Sequence, residues 1–207
     1  MNNNIIYLIS IIVSYLFGAI PFSYFIVKIF TGKDLRIEGS GNLGTLNSYE
    51  VSRKKWIGVF VLILDLFKGL LAIYAIDRFS NSNSFAIFLS GIFIVIGHNW
   101  NIFLKFRGGR GLAPSAGISI ALNFIPVIIW LLIWLGSKPL VKNIHKINCM
   151  SSIISIIILW LLPSECFGSL NSFCSIAPNL LRIQFTIINI LIIFGHWNVR
   201  RSIFITE

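Results

Sequence analysis

Two glycine-rich stretches carry the residues of this chain best suited to chemistry. The first is Gly39-Ser40-Gly41-Asn42-Leu43-Gly44, followed by Asn47; the second is Phe106-Arg107-Gly108-Gly109-Arg110-Gly111. A glycine has no Cβ, so its backbone N–H can turn toward a ligand and approach it closely, which suits phosphate oxygens. Arginines beside such a loop add charge and forked donors. Ser40 and Asn42 are placed either to donate to a phosphate or to hold their own loop. A plain polar turn accounts for the glycines alone, but less well for the dense Gly-Ser-Gly-Asn-x-Gly-x-x-Asn pattern. Two such loops facing one compartment point to a phosphorylated ligand.

Ionisable residues in apolar surroundings come next. Asp65 and Lys68 are three apart in an apolar run and share one helix face. Each ionised group costs about 2.5–3.5 kcal/mol at the centre of a membrane span. They are read either as a mutual ion pair that fixes packing or as part of a site. His98, in Gly97-His98-Asn99-Trp100-Asn101, leads directly into Arg107 and Arg110. His196 ends the last apolar run, ahead of Asn198, Arg200 and Arg201. His145 reads as an ordinary member of a basic loop. The seven acidic residues form no cluster able to hold magnesium. No histidine is followed by Asp five positions later, no context marks a serine nucleophile, and Cys149, Cys166 and Cys174 lack metal or redox spacing. No metal and no cofactor are called for. Cys166 and Cys174 fall in one loop, where a disulfide is possible in principle.

The elements that must position these residues are membrane helices. Hydrophobic residues make up 56% of the 207 positions, charged residues 12%, and mean hydropathy is +0.85. A soluble domain carries about 25% charged residues. Apolar runs lie at 5–30, 56–76, 84–104, 112–137, 147–163 and 176–195. No basic region precedes the first run and no small-residue cleavage site follows it, so it is expected to remain as a span. The net charge of +10 has a topological origin, because Lys and Arg gather in cytoplasmic loops. No nucleic-acid motif accompanies it. Fourteen of the 17 basic residues fall in 28–55, 105–110, 138–146 and the tail; Arg78 and Arg182 alone lie in the other loops.

If 105–111 and 138–146 face the same side, the stretch between them enters and leaves on that side. Twenty-six residues are too few for two crossings at about 1.5 Å per residue. Two short helices broken near Asn123-Phe124-Ile125-Pro126 solve this, with Pro126 starting the second. The fold expected is an all-α integral membrane protein, one domain over residues 1–207, with seven helical segments, two of them short. Its N-terminus lies outside and its C-terminus in the cytoplasm. A single long span at 112–137 is the competing reading.

Together these motifs resemble the PlsY family, membrane acyltransferases that make lysophosphatidic acid from acyl-phosphate and glycerol 3-phosphate. The resemblance runs from Gly18-Ala19-Ile20-Pro21-Phe22 through Asp34-Leu35-Arg36, the first glycine loop and Asn47, to Asp65-Leu66-Phe67-Lys68-Gly69. It resumes at Gly97-His98 and Phe103 to Gly111, and ends at His196 with Asn198 and Arg201. It implies a seven-helix protein of the bacterial inner (cell) membrane, with membrane lipids around it and its site facing the cytoplasm. The candidate catalytic residues are Ser40, Asn42, His98, His196 and Asn198. Phosphate contacts are expected from Gly39, Gly41, Gly44, Asn47, Lys68, Gly108, Gly109, Arg110 and Gly111. His196, His98 or the substrate's own phosphate would take the hydroxyl proton.

The chain departs from the family pattern at several positions. Glu50 stands where the family usually has Arg, Arg110 where it has Lys, and Pro114 where it has Thr. The usual H-x-x-N is shortened here to His196-Trp197-Asn198. Residues two apart in a helix point about 200° apart, so the segment is extended or the pair does not act together. Glu50 is expected to be neutralised by Arg53, three residues on, if the second span begins that early. The rival readings are a non-catalytic lipid-phosphate binder or transporter, and an acyltransferase with another phosphorylated acceptor.

Overall fold

The computed structural model describes residues 2–169 and 173–203, without the side chains of 168, 169 and 198–203. Helices form where apolar residues run on and stop where a cap or a proline intervenes. They are α1 (Asn3–Gly18), α2 (Phe22–Thr31), α3 (Thr45–Ser52), α4 (Lys55–Phe79), α5 (Ser84–Asn99), α6 (Leu112–Leu122), α7 (Ile125–Ser137), α8 (Ile144–Leu161), α9 (Glu165–Ser169) and α10 (Pro178–Ile203), with a 3₁₀ turn at Ile102–Leu104. Asparagine opens three of the long ones. Asn2, Asn83 and Asn143 each accept from backbone N–H groups of the first turn, which are otherwise unpaired.

Among the described residues, five segments are long and apolar enough to cross a membrane: 3–31, 55–79, 84–104, 144–161 and 178–197. The first is broken. Pro21 has no N–H to continue the helix, and the chain kinks between α1 and α2. Carbonyls at the break are met by side chains from further along the chain, and Ile20 O also accepts from Phe22 N. Asn101 Nδ2 donates to Ala19 O at 2.6 Å and Lys68 Nζ to Ile20 O at 3.1 Å. Irregular backbone persists at membrane depth only when served in this way.

The stretch 112–137 is two helices, not one span. At about 1.5 Å per residue, α6 and α7 reach about 17 and 20 Å, well short of the roughly 30 Å core. Asn123 builds the break: its Oδ1 accepts from Ile125 N at 2.9 Å, and Pro126 opens the second helix. Ser119 Oγ bridges the tip, donating to Asn123 O and accepting from Val127 N. The loop after α8 dips in to meet it. Asn123 Nδ2 donates to Phe167 O, while Phe173 and Cys174 N–H donate to Ala121 O. Phe167, Cys174 and Ile176 join Leu122, Ile125 and Leu181 in the main core.

Packing at the centre depends on close backbone approach, as in other membrane bundles. A Cβ on Gly18 would strike the backbone of Ile94, and one on Gly117 that of Leu66. These contacts seat α1 on α5 and α6 on α4. The disulfide allowed by the sequence does not form: Cys174 keeps a free thiol hydrogen-bonded to Asp77.

Candidate active site

The two glycine loops are neighbours in space. Leu43 N donates to Gly108 O at 3.2 Å, and Ser23 Oγ to Leu43 O at 3.0 Å. Between the loops lies an open pocket of about 300 Å³, lined by Ser40, Gly41, Asn42, Asn99, Trp100, Arg107 to Arg110, Phe194 and Gly195. Ser40, Gly41, Asn42, Gly108, Gly109 and Arg110 therefore come together as the sequence suggests.

Local rules explain how each loop holds its shape. Gly39 and Gly41 have φ of 61° and 67°, a left-handed backbone that side chains disfavour. Asn47 fastens the loop from beneath. Its Oδ1 accepts from Ser40 N, and its Nδ2 donates to Glu38 O and Asn42 O. Both of its amide hydrogens are engaged and it is buried, so in this structure Asn47 braces the loop and does not line the pocket. At the loop's entry Arg36 grips Asp34, Nε to Oδ1 at 3.0 Å, and these hydrogen bonds hold the Asp34 carboxyl pKa at about 2.

The second loop follows a strained turn. Lys105 and Phe106 both have positive φ, 54° and 60°, rare for residues with side chains. Asn101 sustains them, accepting from Phe103 N on Oδ1 and from Leu104 N and Phe106 N on its carbonyl. Gly109 N donates to His98 O at 3.0 Å, so Gly109 contributes no amide to an anion. Among the described residues, no bond takes up the N–H of Asn42, Gly108 or Arg110. Asn99 is buried in the wall with neither amide atom hydrogen-bonded. Burial lowers the Arg110 pKa from its usual value, and the Glu50 carboxylate works against that.

Lys68 and His98 stand behind the pocket. They line a smaller cleft with Asp65, Ser23 and Asn101, beneath Gly108 and Gly109. Lys68 Nζ lies 2.9 Å from Asp65 Oδ1 and is buried with it. The packing ion pair is the observed arrangement, not a phosphate contact in the pocket. His98 Nδ1 is 3.8 Å from the same carboxylate oxygen. A Cβ on Gly109 would strike the imidazole ring, so His98 is covered by the loop. Gly39, Gly44 and Gly111 shape the loops without lining the pocket.

His196 has neighbours that sequence reading misses. Its Nδ1 is 3.0 Å from His145 Nδ1, and its Nε2 is 3.3 Å from Asn148 Nδ2. His145 Nδ1 is also 3.4 Å from an Arg110 guanidinium nitrogen. His145 is thus a member of the site, and its placement beside Lys142 and Lys146 concealed this. With both ring nitrogens engaged, His196 is not a free base. The helix α10 continues through 196–198, so the extended alternative for that segment does not hold; the Asn198 side chain lies outside the described residues. Arg53 corrects a further expectation. It ends α3 in a left-handed conformation, φ 58°, before α4 begins, and no ion pair joins it to Glu50 among the described residues.

From Leu112, two residues past Arg110, an apolar recess of about 190 Å³ opens between α4, α6, α7 and α10. Leu62, Leu112, Val127, Trp130, Phe185 and Ile188 line it.

Fold and site define a class: an all-helical, multi-span membrane protein with a basic, glycine-walled pocket where the end of α5 meets α10. Residues 8–204 match the family described as glycerol-3-phosphate acyltransferase, and the chain belongs to that family. It is 36% identical over 204 residues to the glycerol-3-phosphate acyltransferase of Anaplasma marginale (strain Florida), covering 97% of this chain and 94% of the relative. Its structure is similar to that of PlsY, an integral membrane glycerol 3-phosphate acyltransferase. Against the glycerol 3-phosphate form the TM-score is 0.77 at 27% identity, over 97% of this chain and 94% of the other. Against the lysophosphatidic acid form it is 0.76 at 25%, over 97% and 93%.

Proposed function

We propose that this protein transfers an acyl group from acyl-phosphate to glycerol 3-phosphate, giving lysophosphatidic acid, the first step of phospholipid synthesis. The observation that carries the reading is the pocket where both glycine loops meet. It combines two arginines, unengaged backbone N–H groups and an adjoining apolar recess. One phosphate rests against Arg110 and the N–H groups of Gly108 and Arg110, the other against Ser40 and Asn42. The acyl tail lies in the recess.

The acceptor hydroxyl attacks the acyl carbonyl, a new ester C–O bond forms, and the bond from that carbon to the phosphate oxygen breaks. Inorganic phosphate leaves. The donor is already activated, so alignment does most of the work and can supply about 7–11 kcal/mol. The three imidazoles are engaged or covered, so the hydroxyl proton passes to a phosphate oxygen of the substrates.

The five long apolar segments support a reading with five crossings, in which the short α6–α7 pair adds none and the termini lie on opposite sides. In this reading the N-terminus lies outside, and the arginine-rich loops and the pocket face the cytoplasm of a bacterial inner membrane. Purified protein in detergent or vesicles, given acyl-phosphate and glycerol 3-phosphate, releases phosphate and lysophosphatidic acid together. Release only with a different phosphorylated acceptor reassigns the substrate. Saturable binding of either phosphate compound without turnover establishes the binding-protein alternative.

A further inference from the structure

The hydrogen bonds behind Arg110 have a direction that can be worked out from donors and acceptors. Trp134, on α7, has only a donor in its ring, Nε1–H. It donates to Asn148 Oδ1 at 2.9 Å, which fixes which end of the Asn148 amide is oxygen. Asn148 Nδ2 therefore faces His196 Nε2 as a donor, at 3.3 Å. His196 Nε2 must be bare, so the ring proton sits on Nδ1. That proton points at His145 Nδ1, 3.0 Å away, which must be bare to accept it. The same bare nitrogen faces the Arg110 guanidinium, a donor without acceptor capacity, at 3.4 Å.

We infer that His145 is a positioning residue: it closes a one-way relay, Trp134–Asn148–His196–His145, and presents to Arg110 the bare nitrogen that holds the guanidinium at the pocket. This rests on Arg110 serving a substrate phosphate. The relay joins α7, α8, α10 and the second glycine loop at one point. His145 touches no reacting atom; it acts through Arg110.

The polarity can be reversed with one isosteric change. In Asn148→Asp, a carboxylate accepts from both Trp134 and His196, moving the His196 proton to Nε2. His145 Nδ1 must then carry hydrogen toward His196 and loses its capacity to hold Arg110. ¹⁵N spectra of imidazole-labelled protein, assigned with His196→Gln, report this directly. Wild type shows protonated Nδ1 and bare Nε2 on His196; Asn148→Asp shows the reverse. In the transfer assay Asn148→Asp raises KM for glycerol 3-phosphate about tenfold, with a smaller effect on kcat. In a His145→Ala background the same change adds less than about twofold, because the link to Arg110 is already cut.

A direct repulsion between the introduced carboxylate and substrate would persist in that background, and this result overturns the inference. So does a protonated Nε2 on wild-type His196. If Asn148→Asp does not fold, the pair at 145 decides. His145→Leu raises KM about tenfold, and His145→Asn, whose side-chain oxygen stands close to Nδ1, recovers most of it. Equal losses in both overturn the inference. Because the ¹⁵N signature needs no turnover, a failure of the acyl-transfer reading is told apart from a failure of the relay.

Discussion

Arg110 lies in the second glycine loop with its side chain against Gly195 of α10 and its guanidinium at the pocket. Removing a charged hydrogen-bond donor costs about 1.5–3 kcal/mol. Arg110→Ala therefore lowers kcat/KM by about 10–150-fold in the phosphate-release assay, while Arg110→Lys loses less. Glu50 acts in the opposite sense. It is exposed on α3, and its charge reaches Arg110. An exposed charge interaction is worth at most about 1 kcal/mol, so Glu50→Arg lowers KM for glycerol 3-phosphate by up to about fivefold. An unchanged or raised KM would show that Glu50 serves the acceptor. Ser40, Asn42 and Arg110 are legible in the sequence because their chemistry is local: glycines and polar groups repeat within a few positions. His145 and Asn148 are not. Their meaning arises only when α8 packs on α10 and brings together residues 51 and 48 apart.

Among the elements, α4 carries the heaviest electrostatic burden. Asp65 and Lys68 are both buried, and Lys68 also serves the kink between α1 and α2. Removing one partner of a buried pair strands the other charge, at about 3–5 kcal/mol. Asp65→Ala and Lys68→Ala should each lower the unfolding midpoint in detergent sharply. The double variant Asp65→Leu/Lys68→Met recovers all but about 1 kcal/mol, the share of the Ile20 carbonyl. Equal stability of single and double variants would mean the two charges do not interact. The spacing of Asp65 and Lys68 makes their pairing readable in advance, as Pro126 does the break after α6. The kink at Pro21 escapes notice because 5–30 reads as one apolar run despite the proline within it, and the separate α3 because it is short and polar. The left-handed Arg53 that ends α3 is what defeats the expected Glu50–Arg53 contact.

At the scale of the whole molecule, the uneven loop charge and the short α6–α7 pair lead to one test. Cysteines introduced at the exposed Tyr49, next to the buried Ser48, and at Lys142 should be labelled from the cytoplasmic side only, and one at Asn81 from outside only. External labelling at Lys142 would make 112–137 a full crossing and invert everything after it. The proposed arrangement is drawn from charge, because 14 of the 17 basic residues fall in one set of loops and the tail. The filling of the far side is not, since the loop after α8 is recruited by two backbone atoms at the hairpin tip.

The kink between α1 and α2 also has a history. Its partners, Lys68 and Asn101, lie 48 and 82 residues further along the chain. At about 5–20 residues per second, the ribosome delivers the first roughly 2–10 s, and the second roughly 4–16 s, after the carbonyls they serve. For that interval the Ala19 carbonyl is a bare acceptor that lipid cannot satisfy, and the Ile20 carbonyl keeps only its turn bond from Phe22 N. The first segment is therefore not a self-sufficient anchor but a half-finished one, held by water or by the insertion apparatus until the third span arrives. Biogenesis of this protein is ordered from its middle: the helices that complete the site are the ones that allow its first helix to settle.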